Sequence, residues 1–377
     1  MSIKAKPSFS LKDQLFNQVS VRTLSNGLKK ASSIFETRKF ERAVLKEFPN
    51  LELKDRIRWM VTQLKEFLPG DFAKALKVLL KTLPPPLDPA LQDDDFGQFI
   101  WVVPGEYVAT YGCEEQYLTL SLPFLREATK RFSSESALRP FLNKYPQQSL
   151  DFVHECAADN NYHVRRLASE GIRPFLPWAE RVMLPEKKVI EVLNVLHADN
   201  TRYVTRSVAN TLNDLAKLDA SLVVNTLMRW QKQNRQKPEE LAWMIRHSLR
   251  TLLKQDNAEA LQLLGYPLKP KFRIANMTIS NQVKVGENLF CACVLTSSAT
   301  QSLKITLQIY FLKANGSHST KVFAVKDAVF NKGETIDIAK SLSFKPITTR
   351  VMYAGTHYAE VLVNGISRGK HAFELRT

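Results

Sequence analysis

The stretches ADNNYHVRRLASEGI (158–172) and ADNTRYVTRSVANTL (198–212) align without a gap at a spacing of 40 residues. They share Ala158/Ala198, Asp159/Asp199, Asn160/Asn200, Val164/Val204 and Arg166/Arg206, and another step of 40 reaches Arg246 in WMIRHSLRTLL. A second echo joins SESALRPFL, from Ser134, to SEGIRPFL, from Ser169, with one residue deleted. A period near 40, with Asp followed five residues later by Val, is the pattern of paired-helix repeats of HEAT-like type. This part of the chain therefore reads as an α-solenoid.

Helix geometry places the side chains, at about 100° per residue. Val164, Leu167, Ala168, Gly171 and Ile172 share one apolar sector, and Arg166, Ser169, Glu170 and Arg173 form a polar stripe opposite. In the next repeat that stripe holds Arg206, Asn210 and Asn213 with Asp214 at its edge; in the third it holds Arg246 and Arg250 with Lys254 at its edge. Stacked repeats put equivalent positions side by side, so Arg166, Arg206 and Arg246 are expected in a row along one concave wall. Guanidiniums that each hold two phosphate oxygens suit a nucleic-acid backbone. The plainer alternative pairs each arginine with Asp159 or Asp199 at the start of a neighbouring helix. Glu170 fits neither reading, because a carboxylate inside a phosphate-binding stripe repels what the stripe attracts. Its position points to chemistry.

Bulk composition agrees with a nucleic-acid partner. The 377 residues carry 53 Lys and Arg against 37 Asp and Glu, a net charge of +16 that favours polyanions. No window approaches the roughly 18 apolar residues of a membrane span. The opening MSIKAKPSFSLKDQ lacks the apolar core of a secretion signal, so an intracellular protein is expected. Cys113, Cys156, Cys291 and Cys293 lack Cys-x-x-Cys spacing, and Cys291 and Cys293 point to the same side of one strand. Reduced thiols are expected. His154, His163 and His197 do not have metal-ligand spacing, no lysine is singled out as a Schiff-base nucleophile, and phosphate-cradling glycine loops are missing. No metal or cofactor is expected.

The grammar changes near GYPLKPKFRI. From Leu11 to about Gly265 apolar residues recur at helical spacing, as in LKDRIRWMVTQLKEFL and LAWMIRHSLRTLLKQ, with LPPPLDPALQDDDFG as a surface loop. Beyond come alternating runs, LKITLQIYFL, KVFAVKDAVF and AEVLVNG, separated by Asn-Gly, Lys-Gly and Ser-Arg-Gly turn signals. The expected fold is an all-α HEAT-like-repeat solenoid over 1–266 followed by an all-β immunoglobulin-like sandwich over 272–377. Residues 272–377 hold 13 Lys and Arg against 6 Asp and Glu, leaving net +9 for the rest, so both parts are able to meet one polyanion.

At this point the residues resemble a known family, the HEAT-like-repeat alkylpurine DNA glycosylases of the AlkC branch. The resemblance rests on ATKRFSSESALRPFL (128–142), HVRRLASEGIRPFLPW (163–178), YVTRSVANTLNDLAK (203–217) and WMIRHSLRTLLKQDNAEALQLLGY (243–266). The tail YAGTHYAEVLVNGISRGKHAFEL (353–375) resembles the immunoglobulin-like domain that some members append, and the first hundred residues match loosely. It implies a bacterial, cytoplasmic, monomeric and monofunctional glycosylase that hydrolyses the N-glycosidic bond of cationic alkylated bases, 3-methyladenine and 3-methylcytosine, in double-stranded DNA. It also implies that the deoxyribose is reached from the groove without flipping the base, against the usual rule for enzymes acting on bases.

The chemistry suits the residues. A cationic base leaves without protonation, so the enzyme stabilises an oxocarbenium-like sugar and guides water, tasks for ionised carboxylates. Glu170 is the first candidate, Glu135 in the SSE context the second and Asp214 of LNDLAK the third, with Trp178 offering an aromatic face to sugar or cation. Arg139, Arg166, Arg173, Arg206, Asn210, Arg246, Arg250 and Lys254 are the expected DNA contacts. The competing reading is a non-enzymatic repeat protein that binds DNA or serves as a scaffold, which would gain nothing from the three carboxylates.

Overall fold

In a computed structural model of the chain, residues 10–91, 93, 95–348 and 350–376 are described. The first nine residues of the opening stretch lie outside this set. Compactness divides the chain into two units: one runs to Leu215 and takes in Gln233–His247, and the other holds Ala216–Lys232 and everything from Ser248 onward.

The first unit is helical. It contains α1 (Leu11–Leu15), α2 (Gln18–Ala31), α3 (Thr37–Glu47), α4 (Leu53–Phe67), α5 (Phe72–Thr82), α6 (Val102–Tyr111), α7 (Leu118–Ala128) and α8 (Glu135–Lys144). It continues through α9 (Pro146–Ala157), α10 (Tyr162–Glu170), α11 (Glu186–Leu196) and α12 (Arg202–Leu215). Helix α13 (Ala220–Gln233) lies almost wholly in the second unit, and α14 (Pro238–Ser248) in the first. Local signals fix the helix starts. The side chain of Asn17 accepts from the amides of Val19 and Ser20, Asp71 caps α5 through Lys74, and Asn161 caps α10 through His163. The proline run after α5 carries no regular structure among its described residues.

Helices α9 and α10 recur 40 residues on as α11 and α12, as the alignment requires. The third step differs, because α14 starts only 36 residues after α12. Arg166 and Arg206 are each four residues into their helices, whereas Arg246 is eight residues in, one turn further along. The expected row is therefore not in register at its third member.

The second unit ends its helices with α15 (Arg250–Lys254) and α16 (Ala258–Leu263), so LAWMIRHSLRTLLKQ breaks at Leu249 rather than running through. Strands β1 (Phe272–Ile279), β2 (Gln282–Lys284), β3 (Asn288–Ser297), β4 (Gln301–Leu312), β5 (His318–Phe330), β6 (Thr335–Ser343), β7 (Gly355–Val363) and β8 (Ile366–Arg376) follow. They form a three-stranded sheet, β1-β3-β6, and a five-stranded sheet, β2-β8-β7-β4-β5. The inward sets of both sheets share one core, including Leu289, Cys291, Cys293 and Leu295 opposite Leu303, Ile305, Leu307, Val361 and Phe373. Asn364 and Gly365, both at positive φ, make the two-residue hairpin between β7 and β8. Ser367-Arg368-Gly369, expected as a turn, instead lies within β8 opposite a register shift, where Gly369 sits at positive φ. All four cysteines are free thiols. No described helix is long and apolar enough to cross a membrane.

Candidate active site

The polar stripe of α10 does not face solvent. It packs against α12, whose own small polar residues turn back toward it: Ser169 Oγ donates to Ser207 Oγ at 2.7 Å, and Thr211 Oγ1 to the Ser169 carbonyl at 3.0 Å. Glu170 closes the helix inside this seam, 4% exposed. Its Oε1 accepts from Arg173 Nη1 at 2.5 Å, its Oε2 accepts from Ser207 Oγ at 2.7 Å, and Arg166 Nη2 lies 3.8 Å away. Arg173 Nε also donates to Asp214 Oδ2 at 2.9 Å. Arg166 Nη1 donates to Ser133 Oγ at 2.6 Å and to Glu135 Oε2 at 3.3 Å, while its guanidinium lies over the Tyr203 ring at 4.6 Å.

In order along the network, Glu135, Arg166, Glu170, Arg173 and Asp214 alternate in sign. Two guanidiniums thus link three carboxylates. Arg139 feels the charges of Glu170, Arg173 and Asp214, and Glu106 feels that of Glu135, so both lie within electrostatic reach of the network. Burial pushes the Glu170 carboxyl up, but the charges of Arg166 and Arg173 and the bonds from Ser207 and Arg173 outweigh it and hold Glu170 below the usual carboxylate range. Burial pulls both arginines down, and the carboxylates around them more than restore their charge.

The three expected carboxylates thus meet in one network, with unequal access. Asp214 is 2% exposed, whereas the Glu135 side chain keeps 23% of its surface at the N-terminus of α8. Two of the expected DNA contacts are corrected. Arg173 is buried between Glu170 and Asp214. Arg139 is fully buried and donates to the carbonyls of Glu180 at 2.5 Å and Gly171 at 3.0 Å, clamping the segment after α10 onto α8. A side chain on Gly171 would meet Leu138 at 2.8 Å, so this approach of α8 requires glycine. The echo that related Glu135 to Glu170 is also not a structural equivalence, since Glu135 begins α8 and Glu170 ends α10.

That clamped segment carries Trp178, whose side chain is 73% exposed and whose backbone holds φ +64°, a strained setting for a bulky residue. Its carbonyl accepts from Lys54 Nζ of α4. Arg206 is half-buried and paired with Asp93, Asn210 meets His247 at 2.9 Å, and Arg246 is exposed. In the second unit Arg250 is half-buried and Lys254 exposed. The helix-start aspartates are taken by other arginines: Asp159 by Arg126 and Asp199 by Arg165. Arg166 and Arg206 therefore do not use the partners that the plainer alternative gave them.

Sequence reasoning missed Glu106 and Ser207. Glu106, on the mostly apolar α6, accepts from Ser136 Oγ at 2.5 Å, and burial raises its pKa against that bond. Nothing in VVPGEYVATY marks it. Ser207 was legible, because it stands where the repeat has the apolar Leu167. Among the described residues no group of three or more His, Cys, Asp or Glu could hold a metal ion.

A helical region bearing a buried acid–arginine network, followed by a two-sheet domain, defines the class of chain. Residues 273–377 match the family described as "Uncharacterised protein YhaZ, C-terminal Ig-like domain". YhaZ of Bacillus subtilis (strain 168) is 30% identical over 357 residues, covering 93% of this chain and 96% of its own. The Pseudomonas fluorescens alkylpurine DNA glycosylase AlkC, solved bound to DNA containing an abasic site analog, superposes with a TM-score of 0.79 at 30% identity, over 99% of this chain and all of that one. The chain belongs to the family that AlkC and YhaZ represent.

Proposed function

We propose that this chain is a DNA repair glycosylase that hydrolyses the N-glycosidic bond of cationic alkylated bases, 3-methyladenine and 3-methylcytosine, in duplex DNA. The observation that carries the reading is the five-residue network in which two guanidiniums gather Glu135, Glu170 and Asp214. A developing oxocarbenium sugar gains most from fixed negative charge in a site of low polarity, and such a term is worth about 3 kcal/mol or 10²-fold in rate. Glu135, the accessible carboxylate, meets the sugar or its water. Glu170 and Asp214 supply charge from behind through the two arginines. The base is cationic while still bonded to the sugar and leaves neutral with the electron pair of the broken bond, so neither a general acid nor a metal is required, and the exposed Trp178 face meets the cationic base before cleavage. An abasic site, the feature of the DNA bound to AlkC, is what this cleavage leaves.

In this reading residues 1–266 form a HEAT-like solenoid that binds DNA and cleaves, acting as a monomer in the bacterial cytoplasm. Arg206, Asn210, Arg246, Arg250 and Lys254 contact phosphates, and the sandwich over 272–377 is a second basic surface for the duplex. The full pairing of Glu170 and Asp214 favours a second reading, in which the network is structural and the chain only binds DNA. Release of free 3-methyladenine from methylated duplex by purified protein, with a chelator present, decides between them. Duplex binding without release would leave the binder.

A further inference from the structure

The loop LPPPLDPALQDDDFG (83–97) has both feet on one turn of the chain. The Leu87 amide donates to the Lys130 carbonyl at 2.9 Å, and Arg131 Nε donates to the Pro84 carbonyl at 2.7 Å. Gly97, at φ +66°, lies against the Arg131 carbonyl so closely that a Cβ there would sit 1.9 Å from the oxygen. Between these feet the loop reaches across to α12, where Asp93 pairs with Arg206 and Phe96 meets Tyr203 edge-on at 5.5 Å. Gln92 and Asp94 lie outside the described residues. Loops with adjacent feet are frequently functional and more mobile than the elements they join.

Its contact is only half satisfied. Tyr162, His163 and Tyr203 form a buried aromatic cluster there, with centroids 4.1 Å apart for Tyr162 and His163 and 5.4 Å for His163 and Tyr203. The negative charges of Asp88, Asp93 and Asp95 act on Tyr162, and that of Asp95 on His163. Tyr162 Oη, His163 Nε2 and Asp93 Oδ1 are buried without a partner among the described residues. None of the three finds a hydrogen bond from the described protein residues around it, so the seam is not tightly matched in polar groups.

We propose that this loop is an acidic strap: in the free protein Asp93 occupies the phosphate position of Arg206, and a duplex backbone displaces it to bind. The proposal rests on the reading of Arg206 as a phosphate contact. The strap then taxes non-specific binding, because every duplex must first compete with Asp93 for the same guanidinium.

The test is fluorescence anisotropy of the full chain with undamaged duplex at fixed salt, with thermal melting to confirm folding. Asp93→Asn and Phe96→Ala should each tighten binding by roughly two- to fivefold, the scale of one partly exposed ion pair. Phe96→Ala removes the tip's anchor without changing charge, so its gain separates strap release from lost repulsion. Asp88→Asn should do less, and the gain from Asp93→Asn should vanish in an Arg206→Ala background. Weaker binding by Asp93→Asn, no gain from Phe96→Ala, or an equal gain from Asp88→Asn that persists without Arg206 would overturn the strap. Backbone hydrogen exchange over 88–96 in the unaltered chain gives a reading free of mutation: DNA should speed it, and duplex binding with unchanged exchange sinks the strap alone. If the unaltered chain binds no duplex, the parent reading fails and the strap falls with it.

Discussion

Glu135 and Glu170 should respond differently to the same conservative change. Glu135→Gln alters the accessible end of the network, so 3-methyladenine release should drop by about 10²-fold with little change in melting temperature. Glu170→Gln strips a buried partner from Arg166 and Arg173, and breaking such a pair costs about 3–5 kcal/mol. Release and melting temperature should then fall together. Single-turnover release beside a melting curve checks both, and a stable but inactive Glu170→Gln would return the leading role to Glu170. Trp178 gives a contrasting case. Its φ of +64° costs about 1–3 kcal/mol that glycine would not incur, so Trp178→Gly should melt no lower than the parent while losing excision. A lowered melting temperature would mean that the indole packs for stability.

At the scale of the element, α10 shows what periodicity conveys and what it omits. The 40-residue match located α10 and α12 and their capping turns, because Asp159 and Asp199 each accept from the amide two residues on. The helical wheel put Arg166, Ser169 and Glu170 on one side of α10 but could not say that α12 covers that side, and Arg173 lies beyond the helix end at Glu170 and joins the network from the segment that follows. Two features of α12 carry the missing information, Ser207 in an apolar slot and Asp214 near the end of the helix, and they meet α10 and the segment that follows it through contacts no local pattern shows. Glu106 and Lys54 come from α6 and α4, far off in sequence, and no local pattern marks them. The same helix predicts an acid response. Burial lowers the His163 pKa to about 4, against the opposing charge of Asp95, so folded His163 is neutral where the unfolded chain, near 6.5, takes up a proton. Stability should therefore decline as pH falls from about 6.5 toward 4, and His163→Phe should flatten that part of a denaturation-versus-pH curve. An unchanged curve would show that His163 titrates normally in the fold.

Across the whole molecule, the strand half was legible from alternation and turn residues, but its dependence on the last helices was not. Asp256, buried at φ +53°, accepts from Lys304 Nζ at 2.5 Å and from Thr306 Oγ1, both on β4, and Gly365 lies against its carbonyl. Helices α13, α15 and α16 group with the strands in one compact unit. Removing everything after Gly265 would strip that unit of its core and leave Asp256 without these partners. The shortened chain should lose part of its helical circular dichroism and melt at lower temperature, not merely bind DNA less well. Full helicity in the shortened chain would show that the first 265 residues are self-sufficient.

The arginines that hold the helix-start acids have a consequence for how the fold comes apart. Arg126 of α7 reaches Asp159, Arg165 of α10 reaches Asp199 and Arg202 of α12 reaches Glu240 of α14, so each helix pair is fastened to the one after it. In a linear array, strong coupling between neighbours suppresses the melting of single members. Guanidinium should therefore take α7 through α14 down in one sharp transition. Cutting the middle fastening with Arg165→Ala should lower the apparent m-value as the transition divides in two, with the chain unzipping between α10 and α12.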